Sequence, residues 1–197
     1  MRVKAALPMP RDLEATQGGF LLGTDFETYA RHIEHDIVWV LEAAGCVVGF
    51  GIALPWETLR QTDVWQKRDN VRLNAAGATI AFPERPAYLE QLAVLLQARA
   101  SGWYLGYRLI CEALRDHEDG LLTTTVERPV TNTAVLPYLR TAGFQRVGAI
   151  TETYPVVGEI ESSVHYLSQA AFAHSTSSTL FTRGLARAER QGMVLRR

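Results

Sequence analysis

Apolar and polar positions change period several times along this chain, and each change marks an element. Asp36–Glu42 (DIVWVLE) is rich in β-branched and aromatic residues, and so is Cys46–Leu54 (CVVGFGIAL). With Ala44-Gly45 as the turn between them, the two runs predict a β-hairpin. Gly49 and Gly51 inside the second run predict a bulge or the close approach of another segment. Ala87–Leu96 is a third strand. From Ser101 or Gly102 the period becomes 3.6, with Leu105, Leu109, Ile110, Ala113 and Leu114 on one face, and Gly120 ends the helix. Leu121–Val126 (LLTTTV) is again a strand, and strand–helix–strand in this order predicts a parallel pair with a right-handed crossover. Pro129 and Asn132 introduce a short helix to Ala142, with Gly143 as its C′ residue. Phe144–Thr151 and Ser162–Leu167 read as two last strands.

The remaining segments are less periodic. Arg2–Leu7 alternates weakly, as a first strand would. Pro8, Pro10 and Gly18-Gly19 mark irregular chain. Thr24 or Asp25 caps a helix running to about Glu34. Trp56–Arg85 reads as an insertion containing a helix, closed by Pro83 and Pro86. After Ser168 the character changes. His174–Thr179 (HSTSST) is linker-like, and Leu180–Gln191 predicts a basic amphipathic helix. The pattern as a whole predicts an α/β domain over residues 1–169, with a mixed, mostly antiparallel sheet of six or seven strands. Residues 170–197 then form a tail with a basic helix.

Composition narrows the function. The chain has 197 residues, 47% hydrophobic and 21% charged, enough for one domain with a real core. The formal net charge of −1 argues against nucleic acid as a partner. The longest apolar runs, such as Val47–Pro55, are too short to span a bilayer. The opening MRVKAALPMPRDLE holds no apolar segment of signal length. With two cysteines, Cys46 and Cys111, and no motif around them, a cytoplasmic protein with reduced thiols is expected.

The candidate chemistry centres on Tyr88–Ile110 (YLEQLAVLLQARASGWYLGYRLI). A strand, a turn with Arg99 and Gly102, and a helix start place backbone N–H groups and the positive end of a helix dipole at a strand end. That is a phosphate-binding arrangement. Arg99 can add charge-assisted hydrogen bonds, and Gly102 lets the backbone approach an anion.

Three stretches resemble the GCN5-related N-acetyltransferase (GNAT) family. In the first, Leu92-Ala93-Val94 ends an apolar strand, and Arg99, Ala100, Ser101, Gly102, Trp103 and Tyr104 fill the six places of its Arg/Gln-x-x-Gly-x-Gly/Ala turn. The second is NTAVLPYLRTAGF, with Asn132 eleven residues before Gly143. The third is the hairpin Val38–Ile52. The resemblance runs from about residue 2 to 167. It implies a sheet with helices on both faces and a splayed parallel pair, Ala87–Leu96 with Leu121–Val126. It implies acetyl-CoA as co-substrate, no metal, and direct acetyl transfer to a primary amine. Leu92, Ala93 and Val94 would pair with the pantetheine arm, residues 99–104 would hold the pyrophosphate, and Asn132 would contact the cofactor. A non-catalytic acyl-CoA-binding module on the same fold is the alternative. The acceptor is not legible, and a homodimer is left open.

Two positions depart from the family pattern. Tyr104 stands where Gly or Ala is usual. Leu139 stands where many members carry a tyrosine seven residues after the asparagine, and Tyr138 lies one residue earlier. One residue on a helix is a rotation of about 100°, and Pro137 distorts the turn unless it is the first. Tyr138 is thus read either as general acid or as a packing residue. Glu90, a carboxylate in an apolar strand, needs a partner or a job. Alternation places it on one face with Leu92 and Val94. It is the candidate base, or else a hydrogen-bonded structural carboxylate. His32-x-x-His35 lacks further ligands and reads as a surface helix end rather than a metal site. His165 reads as a cross-strand residue and Cys111 as core. The arginines of the tail read as a solvated or dimer-capping face.

Overall fold

The hairpin forms as the pattern requires. In the computed structural model, which describes residues 2–6, 25–80, 82–115, 119–154, 158–191 and 193–197, β1 (Ile37–Ala43) and β2 (Cys46–Leu54) pair antiparallel. Ala44 (φ 49°) and Gly45 (φ 75°) both take positive φ, the geometry of a two-residue type I′ turn that suits the strand twist. β2 pairs antiparallel with β4 (Ala87–Val94), and the close approach predicted at Gly51 is real. A Cβ there would come within 2.8 Å of Leu109 Cδ2 on α6 (Gly102–Arg115).

β5 (Leu121–Arg128) lies parallel to β4, and β7 (Gly158–Leu167) and β6 (Gln145–Tyr154) follow antiparallel. Two short edge strands complete the sheet, β3 (Arg72–Leu73) beside β6 and β8 (Val194–Arg196) beside β1. The order is β3-β6-β7-β5-β4-β2-β1-β8, so among the described residues the sheet has eight strands, where six or seven were expected. Runs of two and three residues carry no readable period. The mixed, mostly antiparallel sheet with one parallel pair is the fold class expected.

Helices cover both faces. On one, Leu109, Ile110, Ala113 and Leu114 of α6 pack with Leu139 and Ala142 of α7 (Leu136–Ala142), Phe172 of α8 (Gln169–Thr176) and Phe181 of α9 (Thr179–Arg190). On the other, Ile52, Leu54, Tyr88, Val147 and Ile150 lie under α2 (Phe26–His35), α3 (Trp56–Leu59), α4 (Asp63–Gln66) and the segment around α5 (Ala75–Thr79). Asp25 caps α2 by accepting from the Thr28 N–H at 2.8 Å.

Four local expectations change. Arg2–Leu7 is not a strand where it is described. Arg2–Ala5 forms a single helical turn, α1, because Val3 must bury itself against Leu41, Val48 and Ala93. Leu7, Thr24 and the irregular stretch with Pro8, Pro10 and Gly18-Gly19 lie outside the described residues. The helix expected from Pro129 and Asn132 starts later, at Leu136. Pro137 then falls in its first turn, where the missing N–H costs nothing. Gly143, at φ 96°, closes it as expected, with the Phe144 N–H donating to Leu139 O at 2.9 Å. Among its described residues the insertion holds three short α-helices and a 3₁₀ turn, Arg68–Asn70, where a helix was expected. His174–Thr179 is largely helical. Ser168 caps α8, its Oγ accepting from the Ala171 N–H at 3.1 Å, and buried Phe172 anchors the helix. Residues 170–197 also supply Phe181, 1% exposed, to the core and β8 to the sheet. Among the described residues, no helix is long and apolar enough to cross a membrane, and no group of three or more His, Cys, Asp or Glu side chains is placed to hold a metal ion.

Candidate active site

The parallel strands β4 and β5 pair along the main chain at Ala87–Leu121 and Tyr88–Leu122 alone. Thr123 Oγ1 donates to the Leu89 carbonyl at 2.8 Å, and the Tyr88 and Thr124 hydroxyls meet at 2.7 Å. Beyond these ties the strands part around a cleft of about 800 Å³. The Leu95 N–H donates to Val48 O on β2 at 2.8 Å. Strand groups point alternately left and right, so the main-chain N–H and C=O of Leu92 and Val94 face the cleft. An edge of this kind accepts an extended amide chain as an added strand.

At the end of β4 the chain forms a 3₁₀ turn, Leu96–Ser101, that runs into α6. The turn is less open than the sequence suggests. The Ala98 N–H donates to Leu95 O at 2.9 Å, and the Gly102 N–H donates to Arg99 O. The anion-binding capacity left is the α6 dipole with the charge of exposed Arg99, which lines the cleft together with Gly102 and Trp103. A Cβ on Gly102 would meet Val94 Cγ2 at 3.4 Å and little else. Ser101 is fully buried, its Oγ donating to Gln191 Oε1 at 2.7 Å, just beyond α9. Ala100, Ser101 and Tyr104 do not line the cleft. Trp103 does, with Tyr138 5.1 Å and Phe181 5.9 Å away in edge-on ring contacts.

The opposite wall comes from α7 and the segment before it. Asn132 and Tyr138 both line the cleft, and both carry a buried polar atom, Asn132 Oδ1 and the Tyr138 hydroxyl, with no hydrogen-bond partner among the described residues. Such atoms cost about 1–3 kcal/mol each when left unpaired, so they fit a ligand that supplies donors and acceptors. The Tyr138 hydroxyl lies against Gly106 of α6. Burial drives its acidity far down, so it stays protonated. Leu139, 2% exposed, belongs to the core under α6.

Glu90 sits at the other end of the cleft, at a β-bulge. The β2–β4 register steps from Ile52–Gln91 to Ala53–Leu89, leaving Glu90 unpaired. The bulge overturns the alternation argument. Val94 and Leu92 lie beside Gly49 and Gly51, with Leu105 and Leu109 of α6. The charges felt by Glu90 are instead His32, Asp36 and Glu152, from the α2 side and from β6. Burial pushes its carboxyl above the usual range, Asp36 and Glu152 push it further, and His32 opposes them. Glu90 makes no hydrogen bond among the described residues.

One polar pair was missed. His35 is exposed, as a surface helix end should be, but His32 is only 7% exposed. Its Nδ1 lies 2.7 Å from Asp36 Oδ2. The available signal was Asp36, four residues on from His32 and one helix turn away. His165 is a buried cross-strand residue, 3.0 Å from Thr125 Oγ1, and burial lowers its pKa to about 4. Cys111 is half-buried, and burial raises its thiol.

A search of family models and of curated proteins finds no match to the chain. Among solved structures it is similar to an N-acetyltransferase from Staphylococcus aureus Mu50, at 22% identity over 73% of this chain and 72% of that one, with a TM-score of 0.46. A GNAT family acetyltransferase from Elizabethkingia anophelis with acetyl-CoA bound is 13% identical over 82% and 91%, with a TM-score of 0.47. A putative acetyltransferase of the GNAT family from Desulfovibrio desulfuricans is 14% identical over 72% and 74%, with a TM-score of 0.45. At these values the functional reading rests on the geometry of the cleft.

Proposed function

We propose that the chain is an acetyl-CoA-dependent N-acetyltransferase of the GNAT type, transferring an acetyl group to a primary amine. The observation that carries this reading is the gap between β4 and β5. A strand edge with main-chain groups at Leu92 and Val94 free of β5 runs from a helix N-terminus with Arg99 to a half-buried carboxylate, Glu90, that makes no hydrogen bond among the described residues. Bound acetyl-CoA supplies a thioester whose carbonyl carbon an amine can attack. Arg99 and the α6 N-terminus balance phosphate charge, the strand edge at Leu92–Val94 pairs with the pantetheine amides, and Asn132 Oδ1 accepts a hydrogen bond from the arm. A main-chain N–H near Val94 polarises the thioester carbonyl. Glu90 would take the amine proton, and the Tyr138 hydroxyl, which stays protonated and lines the cleft, would be the proton donor to the leaving thiolate. The unpaired Cys46 and Cys111 support a reducing compartment such as the cytoplasm.

Leu139, in the core where many family members carry a tyrosine, favours a second reading, a non-catalytic acyl-CoA binder. Both readings expect heat on titration with CoA. A panel of primary amines with acetyl-CoA, read as free thiol released, separates them. Turnover above the hydrolysis background on at least one amine class is expected, and binding without turnover across the panel would favour the binder.

A further inference from the structure

The end of the cleft away from Arg99 has a charge pattern of its own. Among the described residues, the charged side chains that line the cleft are Glu90, Arg99 and Glu152, so the far end holds two carboxylates and no basic group. Glu152 lies on β6, its side chain 11% exposed, and is one of the charges that Glu90 feels. β6 stands three places from β4 in the sheet, on the order of 14 Å between backbones, so the two carboxylates stand on opposite walls. Between them the lining is apolar, with Val64 of α4, Val126 of β5, Ile150 of β6 and Ile160 of β7. Val126 and Ile150 both pair with Ser162, and Glu152 pairs with Ile160, so the strand residues of this pocket share one face of the sheet. Half-exposed Lys67, just beyond α4, donates from Nζ to Glu152 Oε1 at 3.1 Å. Glu152 thus already carries a primary ammonium at the end of an alkyl chain, and a carboxylate can accept several such donors.

We propose that the acceptor is an alkyl diamine, bound with one nitrogen at Glu90, its methylene chain among Val64, Ile150 and Ile160, and its second ammonium at Glu152. The inference rests on the transferase reading with Glu90 as base. The nitrogen at Glu90, as the free amine, attacks the thioester carbonyl carbon. A C–N bond forms, the C–S bond breaks, and one amine proton is given up for the one that leaves on sulfur, so the products are the monoacetylated diamine and CoA thiol. The second ammonium does not react. It anchors the chain, which makes Glu152 a specificity residue and not a catalytic one. An α-amino acid is disfavoured in either orientation, because its carboxylate would lie against Glu90 or Glu152 with no basic side chain of the described lining to offset it.

The test compares three amines of one chain length by calorimetry on the protein without acetyl-CoA: pentylamine, 1,5-diaminopentane, and lysine, which is that diamine with a carboxylate added. The diamine should bind about tenfold more tightly than pentylamine, the worth of one charge-assisted contact, and lysine more weakly than the diamine. In Glu152→Gln the preference for the diamine over pentylamine should disappear. A preference measured within one protein cancels any effect of the substitution on Glu90. Lys67→Met removes the competing ammonium and should raise the preference, and it serves if Glu152→Gln does not fold. Equal binding of diamine and pentylamine by the wild type, lysine bound as tightly as the diamine, or a preference unchanged in the variants overturns the proposal. Thiol release from acetyl-CoA is read separately with the same amines. If pentylamine turns over and the diamine is not preferred, the transferase reading stands and this inference falls. If the affinities come out as expected while no amine turns over, the diamine site stands and the transferase reading fails.

Discussion

Glu90→Gln is expected to lower kcat by about 10²–10⁴-fold, the usual contribution of a positioned general base, while leaving CoA affinity within a few fold. The substitution keeps the size of the side chain and removes only the proton acceptor. Because burial holds the Glu90 carboxyl above the usual carboxylate range, the acid limb of kcat/KM in the wild type should lie above the pH at which a solvated glutamate titrates. The same shift acts on stability. The folded state binds the Glu90 proton more tightly than the unfolded chain does. Its contribution is full at low pH and is lost as pH rises through the folded-state value. The glutamine variant, with no proton to lose, escapes that loss. Its melting temperature should therefore gain on the wild type as pH rises above the usual glutamate range. Turnover at the wild-type rate would remove Glu90 from the mechanism.

Phe181→Ala is expected to cost about 3–5 kcal/mol of stability, the range for emptying a buried phenylalanine site, and on the order of 10 °C in Tm. Phe181 is 1% exposed and packs against Trp103, Tyr107 and Phe172 at ring separations of 5.9, 5.6 and 6.3 Å. Trp103 also lines the cleft, and Gln191 beyond the same helix holds Ser101 in the turn. The loss should therefore reach the site, and CoA affinity should fall at temperatures where the variant is still folded. Thermal melts and CoA titrations on one preparation check both effects. A small change in Tm would mean that α9 is dispensable to the core.

The elements with a strong period are legible in the sequence itself: the β1–β2 hairpin, β4, α6 and β5. The close approach at Gly51 was also legible, because a glycine inside an apolar strand has few other uses. The edge strands β3 and β8 were not, since two or three residues cannot show alternation. The helix α8 was hidden by its polar tail, and only the packing of Phe172 settles it. At the site, the elements were easier to read than the side chains. The approach of Asn132 and Tyr138 to the cleft follows from helix placement. The bulge at Glu90 does not, because pairing with β2 decides it, and it turns Glu90 away from Leu92 and Val94 toward His32. The inward amides of the turn are likewise a property of the folded 3₁₀ segment and not of its residue types.

The most direct measurement is a calorimetric titration with CoA of the wild type and of Gly102→Glu. A Cβ at residue 102 would meet Val94 alone within 4 Å, so the variant should fold, with its carboxylate at the helix end assigned to the pyrophosphate. Saturable binding by the wild type, weakened at least about 100-fold in the variant by like-charge repulsion worth about 2.7 kcal/mol, is the predicted result. No binding by the wild type, or equal binding by both proteins, would contradict the placement of an acyl-CoA in this cleft.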